Sequence, residues 1–307
     1  MPAEIFGESY RFLARDELLS FEEITRLTRI VVGVGATKVR LTGGEPLVRN
    51  SIEKLVAMLT EIEGVSDLAM TTNAYLLPQK AQLLKDAGLQ RVTISMDTLD
   101  EDIFKRMNGR GFGTQKVLEG IEAAEQAGFS PIKVNCVVQR GVNDHTIVDL
   151  ARYFRERGHI MRFIEYMDVG TLNGWKLDHV VPAEEIVATI DAEMPLEPID
   201  SNYRGEVALR YRYRDGGGEI GIIASVTKPF CGSCTRLRIS PEGQLYTCLF
   251  ASGWTDLRTP MRDGVRDEEL EAILRKMWGV RSDRYSEERA SLTEPRQEKV
   301  EMYHIGG

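Results

Sequence analysis

Three cysteines have the types and spacing that point most directly to chemistry. Cys231 and Cys234 are separated by two residues, and Cys248 follows across a predicted hairpin. Two thiolates at this spacing can bind one metal centre, and three suit a four-iron cluster with one iron left open for a ligand. Three ordinary buried thiols are the alternative, and Cys136, which lies among apolar residues, is more typical of a core position. Zinc would need a fourth ligand. The candidates for it are His145, His159, His179 and His304.

Two arginines next to the cysteines indicate an anion site. In a strand, Arg236 and Arg238 share one face close to Cys234. Two guanidiniums on one face repel each other unless an anion joins them, and their planar forks match phosphate oxygens. The alternative is a solvated strand face that acidic neighbours balance. Lys133 and Arg162, both in predicted strands, could add further positive charge.

Glycine-rich segments occur at one strand end and at the end of the given sequence. Gly44 and Glu45 belong to a Gly-Gly-Glu-Pro run, in which the glycines let the backbone approach a ligand and the carboxylate can bind an amino group. A plain strand-to-helix turn with Pro46 near the helix start is the alternative. From the residues alone, the pair Gly306 and Gly307 is typical of a frayed tail.

Composition and charge exclude several classes of protein. The 307 residues carry a formal net charge of −8, so the chain is a poor general binder of nucleic acid or anionic membranes. No apolar run is long enough to span a membrane, and the amino-terminal segment lacks a signal-peptide pattern. We therefore expect a cytoplasmic protein with no nucleic-acid or membrane partner. In that reducing compartment, closely spaced cysteines are better interpreted as metal ligands.

Strand-like and helix-like segments alternate over the first 170 residues. Repeated βα units imply a parallel sheet with covering helices, and the short loops favour an α/β fold built as a barrel or partial barrel. A doubly wound open sheet is the alternative. Strands are predicted at 38–42, 67–72, 91–97, 132–138 and 161–167. Helices are predicted at 20–34, 51–63, 78–87, 101–107, 114–127 and 144–157.

Polar and apolar residues alternate in three of these strands. Strands buried on both faces usually show continuous apolar runs, whereas a period of two places the polar residues on one face. If the apolar faces meet helices, the polar faces line a concave interior; solvent-facing edge strands are the alternative. The polar set is Lys38, Arg40, Thr42, Thr93, Ser95, Asp97, Lys133 and Asn135.

The pattern changes after residue 168. A helix is predicted at 182–192, antiparallel strands at 203–213 and 219–225, and a last helix at 267–278. We therefore divide the chain into residues 1–170, a truncated βα partial barrel, and residues 171–307, an extension that carries the cysteine site and the terminal Gly-Gly.

Together these segments resemble one family, the GTP 3′,8-cyclases, which are radical S-adenosylmethionine enzymes of molybdenum cofactor biosynthesis. The resemblance spans nearly the whole chain, and the cysteine–arginine segment with the terminal Gly-Gly is far more specific than the Gly-Gly-Glu-Pro turn. The segments that carry it are 41–47, 71–73, 95–97, 135–144, 162–170, 231–238, Cys248 and 306–307.

The resemblance implies an incomplete (βα) TIM-like barrel with a C-terminal extension, and the conversion of GTP into (8S)-3′,8-cyclo-7,8-dihydroguanosine 5′-triphosphate. It implies a [4Fe-4S] cluster on Cys231, Cys234 and Cys248 whose open iron contacts the GTP base. It also implies S-adenosylmethionine and a second [4Fe-4S] cluster. GTP and S-adenosylmethionine are the implied partners. The resemblance leaves open whether the protein forms a homodimer.

Roles for single residues follow from the same resemblance. Gly306 and Gly307 match a tail that enters the active site and is needed for activity. The positions that match S-adenosylmethionine binding are Gly44, Glu45, Ser95 and Met167. The positions that match GTP binding are Arg40, Thr71, Lys133, Arg162, Arg236, Leu237 and Arg238.

One departure from the family concerns the second cluster. The family carries a Cys-x3-Cys-x2-Cys-Met-Pro loop, whereas this sequence begins with Met1-Pro2, and Cys136 cannot replace the loop. As written, the chain is not expected to generate a 5′-deoxyadenosyl radical. There are two explanations: the sequence is a fragment or a mis-started reading of a working cyclase, or it is a degenerate copy. The coherent set of cysteines, arginines and terminal glycines favours the first explanation. A smaller departure is Ala74, where the family usually has glycine.

Two other functions stay open at this point. A different radical enzyme with an auxiliary cluster would not need a triphosphate clamp such as Arg236 and Arg238. A non-catalytic nucleotide- or zinc-binding protein would bind zinc in place of iron.

Overall fold

The computed structural model describes residues 13–109, 111–170, 174–289 and 300–306. The expectations that concern Met1, Pro2 and Gly307 therefore lie outside the described residues. The strands are β1 (Lys38–Leu41), β2 (Asp67–Thr72), β3 (Arg91–Ser95), β4 (Lys133–Val138), β5 (Ile160–Glu165), β6 (Leu196–Ile199), β7 (Leu209–Tyr213), β8 (Glu219–Ile223), β9 (Arg238–Ile239), β10 (Gln244–Tyr246) and β11 (Thr255–Asp256).

Helices cover the sheet and the C-terminal part of the chain. They are α1 (Phe21–Gly33), α2 (Ile52–Thr60), α3 (Leu77–Asp86), α4 (Glu101–Asn108), α5 (Thr114–Gln126), α6 (Ile147–Glu156), α7 (Ala183–Asp191), α8 (Arg258–Arg262), α9 (Asp267–Gly279), α10 (Tyr285–Glu288) and α11 (Met302–Ile305). Short 3-10 turns occur at Pro46–Val48, Asp144–Thr146, Leu177–His179 and Cys231–Ser233.

Eight strands form one sheet in the order β1-β2-β3-β4-β5-β8-β7-β6. The first five strands pair in parallel in chain order, and β8 pairs in parallel with β5. A doubly wound sheet reverses its strand order at a switch point, which this sequential order excludes. Within the described residues β1 and β6 are the outer strands, so the sheet is an open partial barrel. The predicted α/β incomplete barrel is confirmed.

Local sequence signals explain the first helix. The Ser20 side chain accepts a hydrogen bond from the Glu23 amide at 3.1 Å, and the Glu23 carboxylate accepts one from the Ser20 amide at 2.7 Å. This reciprocal capping box satisfies two of the four amides that a helix start leaves without partners. Leu27 and Ile30, three residues apart, are buried on one face.

The main sheet also contains strands from the second half of the chain. β7 pairs antiparallel with β8, and β6 pairs antiparallel with β7. β6 was not predicted, because Pro198 interrupts it; proline cannot donate to a ladder, and β6 tolerates it as the edge strand. The strand predicted at 203–213 begins only at Leu209, since Gly205 takes a left-handed φ of +86° that a strand excludes.

A second apolar core supports the cysteine segment. It joins α1, α9 and the short antiparallel sheet in the order β11-β10-β9. Arg26 of α1 donates to the Val265 carbonyl at 2.6 Å and to Asp267 at 2.6 Å, which ties the start of the described chain to α9. The buried members of this core are Leu19, Leu27, Ile30, Leu245, Leu257, Met261, Leu270 and Leu274. In the described part of the chain, no helix has the length and apolar character needed to cross a membrane.

Candidate functional site

Cationic side chains from several strands of the main sheet line one cavity. Its empty volume is about 450 Å³. Arg40 comes from β1, Lys133 from β4 and Arg162 from β5. Arg91 and Arg210 also line it. The alternating polar positions of β1 and β4 therefore do reach an interior space, as the period of two predicted.

Two of these five cations are neutralised and three are not. Arg91 donates to Asp67 at 2.8 Å, and Arg210 pairs with Glu219. Among the described residues no ion pair joins Arg40, Lys133 or Arg162 to a carboxylate. Their excess positive charge suits an anion that enters the cavity.

Neutral side chains hold the two central guanidiniums in place. Arg40 donates to the Thr71 hydroxyl at 3.0 Å, and Arg162 donates to the Asn135 amide oxygen at 2.9 Å. Both also reach the Thr93 hydroxyl, at 3.4 and 3.5 Å. Because β2, β3 and β4 are adjacent, their polar residues form a continuous support under the cations.

Burial and mutual repulsion destabilise the charged forms of these side chains. Burial lowers the pKa of Lys133 to about 8, and repulsion from Arg162 and Arg91 contributes to the shift. Burial likewise lowers the pKa of Arg162 to about 9, with repulsion from Arg40 next in size. The same causes lower the pKa of Arg40. A bound polyanion would relieve this repulsion, which is the electrostatic signature of an anion site.

The segment 200–208 covers the cavity and was missed by the sequence reasoning. Tyr203 and Glu206 line it, and the Lys38 ammonium lies 3.0 Å from the centre of the Tyr203 ring. A cation over an aromatic face is attractive. Tyr-Arg-Gly-Glu at 203–206 carries no periodic pattern, so only its polar and aromatic composition could have drawn attention to it.

The cysteine segment is positioned by a tight turn and a hairpin. The Cys231–Ser233 turn brings the Cys234 amide to 3.1 Å from the Cys231 carbonyl. β9 and β10 then pair, with Tyr246 opposite Arg238, and so return the chain toward Cys248. The predicted hairpin is present, but its first strand begins at Arg238, so Arg236 lies before it.

Two arginines act on these thiols. Arg236 donates to the Cys234 sulfur through Nε and Nη2, each at 3.3 Å. Burial, the largest single influence, raises the pKa of the Cys234 thiol, but the charge and hydrogen bonds of Arg236, together with Arg281, outweigh burial and the pKa falls to about 7. Burial lowers the pKa of Arg238 to about 10, while the charges of Cys234 and Cys248 oppose that shift. The thiolate form of Cys234, which is the form that binds metals, is thus favoured.

The cysteine segment and the cationic cavity adjoin each other. The charge of Arg236 contributes to the lowered pKa of Arg40, after burial and Arg91. Arg236 thus contacts Cys234 and lies close enough to Arg40 for their charges to interact. Leu237, between the two arginines, packs against the second apolar core, so its predicted nucleotide contact stays a prediction.

The C-terminal segment packs onto the Gly-Gly-Glu-Pro turn. Ile305 is buried and Gly306 has a φ of +69°, in the left-handed region that favours glycine. A Cβ on Gly306 would lie 3.2 Å from the Gly43 amide nitrogen and would overlap the Thr42 side chain. The expectation of a frayed tail is wrong for the described residues 300–306.

Comparison with known proteins identifies the family. Residues 6–154 match the Radical SAM superfamily, and residues 159–287 match Molybdenum Cofactor Synthesis C. The GTP 3′,8-cyclase of Acidothermus cellulolyticus is 50% identical, over 100% of this chain and 91% of that protein. That of Xanthomonas axonopodis pv. citri is 51% identical over the same shares. The chain belongs to the GTP 3′,8-cyclase family. Among solved structures, methylornithine synthase has a TM-score of 0.49 at 15% identity, covering 89% of this chain and 77% of that one.

The residues that match S-adenosylmethionine binding in GTP 3′,8-cyclases lie at the carboxyl ends of the strands. Ser95 ends β3, and Gly44 follows β1. Met167 follows β5 and packs beside Phe250 and Tyr285. Carboxyl ends of parallel strands are where ligands bind in βα barrels. The structure brings these positions to one edge of the sheet, and their ligand stays a prediction.

Glu45 has a structural task that the sequence did not reveal. Its carboxylate accepts hydrogen bonds from the Leu47 amide at 3.0 Å, the Thr72 hydroxyl at 2.7 Å and the Asn73 amide at 2.8 Å. It therefore links the turn after β1 to the end of β2. The smaller departure from other GTP 3′,8-cyclases, Ala74, adopts a φ of +67°. Glycine reaches that conformation without strain, which accounts for the family's glycine there.

The three cysteines supply the donor type that a four-iron cluster needs, and the metal centre that they bind stays a prediction. In the described ranges, no three His, Cys, Asp or Glu side chains are placed to hold one metal ion. In a four-iron cluster each thiolate binds a different iron, so the sulfurs need not converge on one point. Cys231 and Arg238 both act on the pKa of Cys248, which burial raises, so the thiols share one neighbourhood.

The remaining cysteine is a core residue, as predicted. Cys136 is buried in the main core, and burial raises the pKa of its thiol. The given sequence contains no Cys-x3-Cys-x2-Cys run. The cysteines of the given sequence therefore do not fit the cluster that the resemblance implies for use with S-adenosylmethionine.

Proposed function

We propose that this protein acts as a GTP 3′,8-cyclase in molybdenum cofactor biosynthesis, converting GTP into (8S)-3′,8-cyclo-7,8-dihydroguanosine 5′-triphosphate. The observation that carries the proposal is the cavity in which Arg40, Lys133 and Arg162 have no carboxylate partner among the described residues. It adjoins the Cys231–Cys234–Cys248 neighbourhood through Arg236. A nucleoside triphosphate would place its phosphates in the cationic cavity and its base beside the three cysteines.

The cavity residues would bind and orient the triphosphate. Lys133 provides a compact charge, whereas Arg40 and Arg162 provide planar forks that their bonds to Thr71 and Asn135 already orient. The segment with Tyr203 would limit access of water. Such fixed cations favour the reaction by holding the sugar and base in one geometry, which is a positioning effect.

Cys231, Cys234 and Cys248 would hold a [4Fe-4S] cluster, with Arg236 favouring the thiolate form of Cys234. When bound, this cluster supplies an iron with an open position for the nucleotide base. Gly44, Glu45, Ser95 and Met167 are the proposed residues for S-adenosylmethionine, and Gly306 with Gly307 the proposed catalytic tail. A homodimer and a cytoplasmic location stay predictions.

GTP binding to the anaerobically reconstituted protein tests this function. Isothermal calorimetry should detect binding to the native sequence, and Arg162→Gln should weaken it by at least about tenfold because a buried charge contact is lost. The exposed Arg212, whose partner is Glu197 on the same edge of the sheet, offers the control variant Arg212→Gln with unchanged affinity. Absence of GTP binding to iron-loaded protein would refute the proposal.

A further inference from the structure

The C-terminal segment is attached to the rest of the molecule along its length. The Val300 amide donates to the Ala251 carbonyl at 3.3 Å. Ile305 packs with Tyr246 and Ala251 in a small buried cluster. At the far end, Gly306 lies against the turn that follows β1, where a side chain would not fit. The segment thus spans from the cysteine hairpin to the turn that contains Gly44.

A buried carboxylate lies beneath this segment. Glu242 is 6% exposed and occupies the turn between β9 and β10. Its Oε1 bonds His304 Nε2, while its Oε2 has no hydrogen-bond partner in the described part of the chain. Burial, the largest single influence, raises the pKa of Glu242. The His304 bond and nearby polar groups together outweigh burial, so the pKa is lowered.

This arrangement makes the hairpin depend on the tail. A buried carboxylate without a partner is costly, and removing one member of such a pair destabilises more than the pair itself contributes. Among the described residues, His304 supplies the side-chain partner of Glu242 Oε1, and Ser240 is a neutral neighbour. If the tail left its site, Glu242 would lose that partner, and it lies in the hairpin that leads to Cys248.

We propose that the Glu242–His304 pair is the contact that docks the C-terminal tail and thereby fixes Gly306 beside Thr42 and Gly43. This inference rests on the proposed function for its consequence in catalysis, but the docking itself does not. Glu242 and His304 are positioning residues: they act through the glycine tail and the cysteine hairpin. Glu301, which approaches Gly170, provides a second contact of the same segment.

Amide hydrogen exchange of the full-length protein measures docking directly. The reporters are the amides of Val300 and His304, which donate to Ala251 and Glu301. We expect Glu242→Gln and His304→Gln each to accelerate exchange in peptides covering 300–306 by about tenfold or more. The double variant should add little to either single variant, because both remove the same pair. Peptides from β4 and β5 should exchange at the native rate, which shows that the fold is kept.

The chain offers a matched control for these variants. His159 Nε2 bonds Glu125 Oε1 at 2.7 Å, a histidine–carboxylate pair in which the histidine rather than the carboxylate is buried, and which is far from the tail in sequence. Glu125→Gln should leave exchange at 300–306 unchanged. Native exchange rates at 300–306 in both single variants, or an equal acceleration by Glu125→Gln, would overturn the docking role.

A second readout separates docking from the proposed function. In protein reconstituted with iron, Glu242→Gln should change GTP affinity by calorimetry by less than about twofold, because the pair contacts the tail and not the cationic cavity. Absence of GTP binding in all variants would refute the function and leave the exchange result valid. Accelerated exchange together with a loss of GTP affinity of about tenfold or more would show that the pair supports the cavity itself, and so would refute a positioning role that acts through the tail.

Discussion

At the scale of single residues, the cavity is distinguished by buried cationic side chains that have no carboxylate partner among the described residues. Arg26, Arg91 and Arg210 each meet a carboxylate. Arg162 instead meets neutral oxygens in a space already occupied by positive charge. Proteins do not gain stability from such a group of cations, so its presence indicates an anion-binding site.

Lys133 should make anion binding depend on pH. Its pKa of about 8 in the free protein means that the binding form is lost as the pH rises through that value. We expect the affinity for inorganic triphosphate, measured by calorimetry, to fall by up to about tenfold between about pH 8 and about pH 9.

Variants at lysine test the assignment of this pH dependence. Lys133→Met should bind triphosphate weakly at neutral pH and show a flatter profile up to about pH 9. Lys116, an exposed lysine paired with Glu119 on α5, provides the control Lys116→Met with a native profile. A native pH profile in Lys133→Met would contradict the role of this ammonium.

Glu165 is a buried carboxylate that the sequence reasoning did not single out. It is 0% exposed and accepts hydrogen bonds from the amides of Ala183, Val226 and Thr227 at 2.7, 2.7 and 2.8 Å. The Thr227 hydroxyl also donates to it. It therefore joins the end of β5 to the start of α7 and to the segment that precedes Cys231.

Removing this charge should destabilise the fold. In Glu165→Gln an amide group would face backbone donors, so we expect the free energy of unfolding in urea to fall by about 2–4 kcal/mol. The exposed Glu122 on α5 offers the control Glu122→Gln, with a change below about 0.5 kcal/mol. A loss of similar size in both variants would contradict the structural role of Glu165.

At the scale of elements, close approach between a helix and a loop depends on one glycine. Gly120 lies inside α5, and a Cβ there would overlap the Ala74 carbonyl and lie 2.8 Å from the Ala74 Cβ. Ala74 itself is held in the left-handed region after β2. Helix α5 thus packs directly against the backbone of the loop that follows β2.

Gly120→Ala should therefore destabilise, although alanine favours helices. The expected loss is about 1–3 kcal/mol, because overpacking exceeds the gain of up to about 1 kcal/mol in helix propensity. Gly279, the last residue of α9, has open space at its Cβ, so Gly279→Ala should be neutral or slightly stabilising. Urea unfolding measures both, and a stabilised Gly120→Ala would show that α5 can move away from the loop.

At the scale of the whole molecule, one sheet contains strands from both predicted parts of the chain. β8 pairs in parallel with β5 over Met161 to Ile164. β6 and β7 extend the same sheet further. α1 and α9 share a core as well. The boundary near residue 170, which stays a prediction, would thus separate segments that share hydrogen bonds and apolar contacts.

Such sharing should make unfolding cooperative. The three tryptophans, Trp175, Trp254 and Trp278, all lie after residue 170. Helices that precede that residue contribute much of the circular dichroism signal. We expect tryptophan fluorescence and far-ultraviolet circular dichroism to give the same urea midpoint in a single transition. Two separated midpoints would show that the two parts unfold independently.

The sequence by itself determined the local elements and the chemical inventory. The period-two strands, the Ser20 cap and the cysteine spacing depend on neighbours within a few residues, so they could be predicted and were found. Local geometry also explains the two strands that were predicted incorrectly. Pro198 hid β6, and Gly205 with its left-handed φ prevents β7 from beginning at residue 203.

Only the tertiary structure decided which of these groups meet. The docking of His304 on Glu242, the packing of Gly306 against Gly43 and the cover that Tyr203 places over the cavity join residues far apart in the chain. No periodicity encodes such contacts, because they arise when separate elements pack and bury charges that must then find partners. The absence of carboxylate partners for Arg162 in the described chain is likewise a property of the packed sheet, since its sequence neighbours do not determine which side chains surround it.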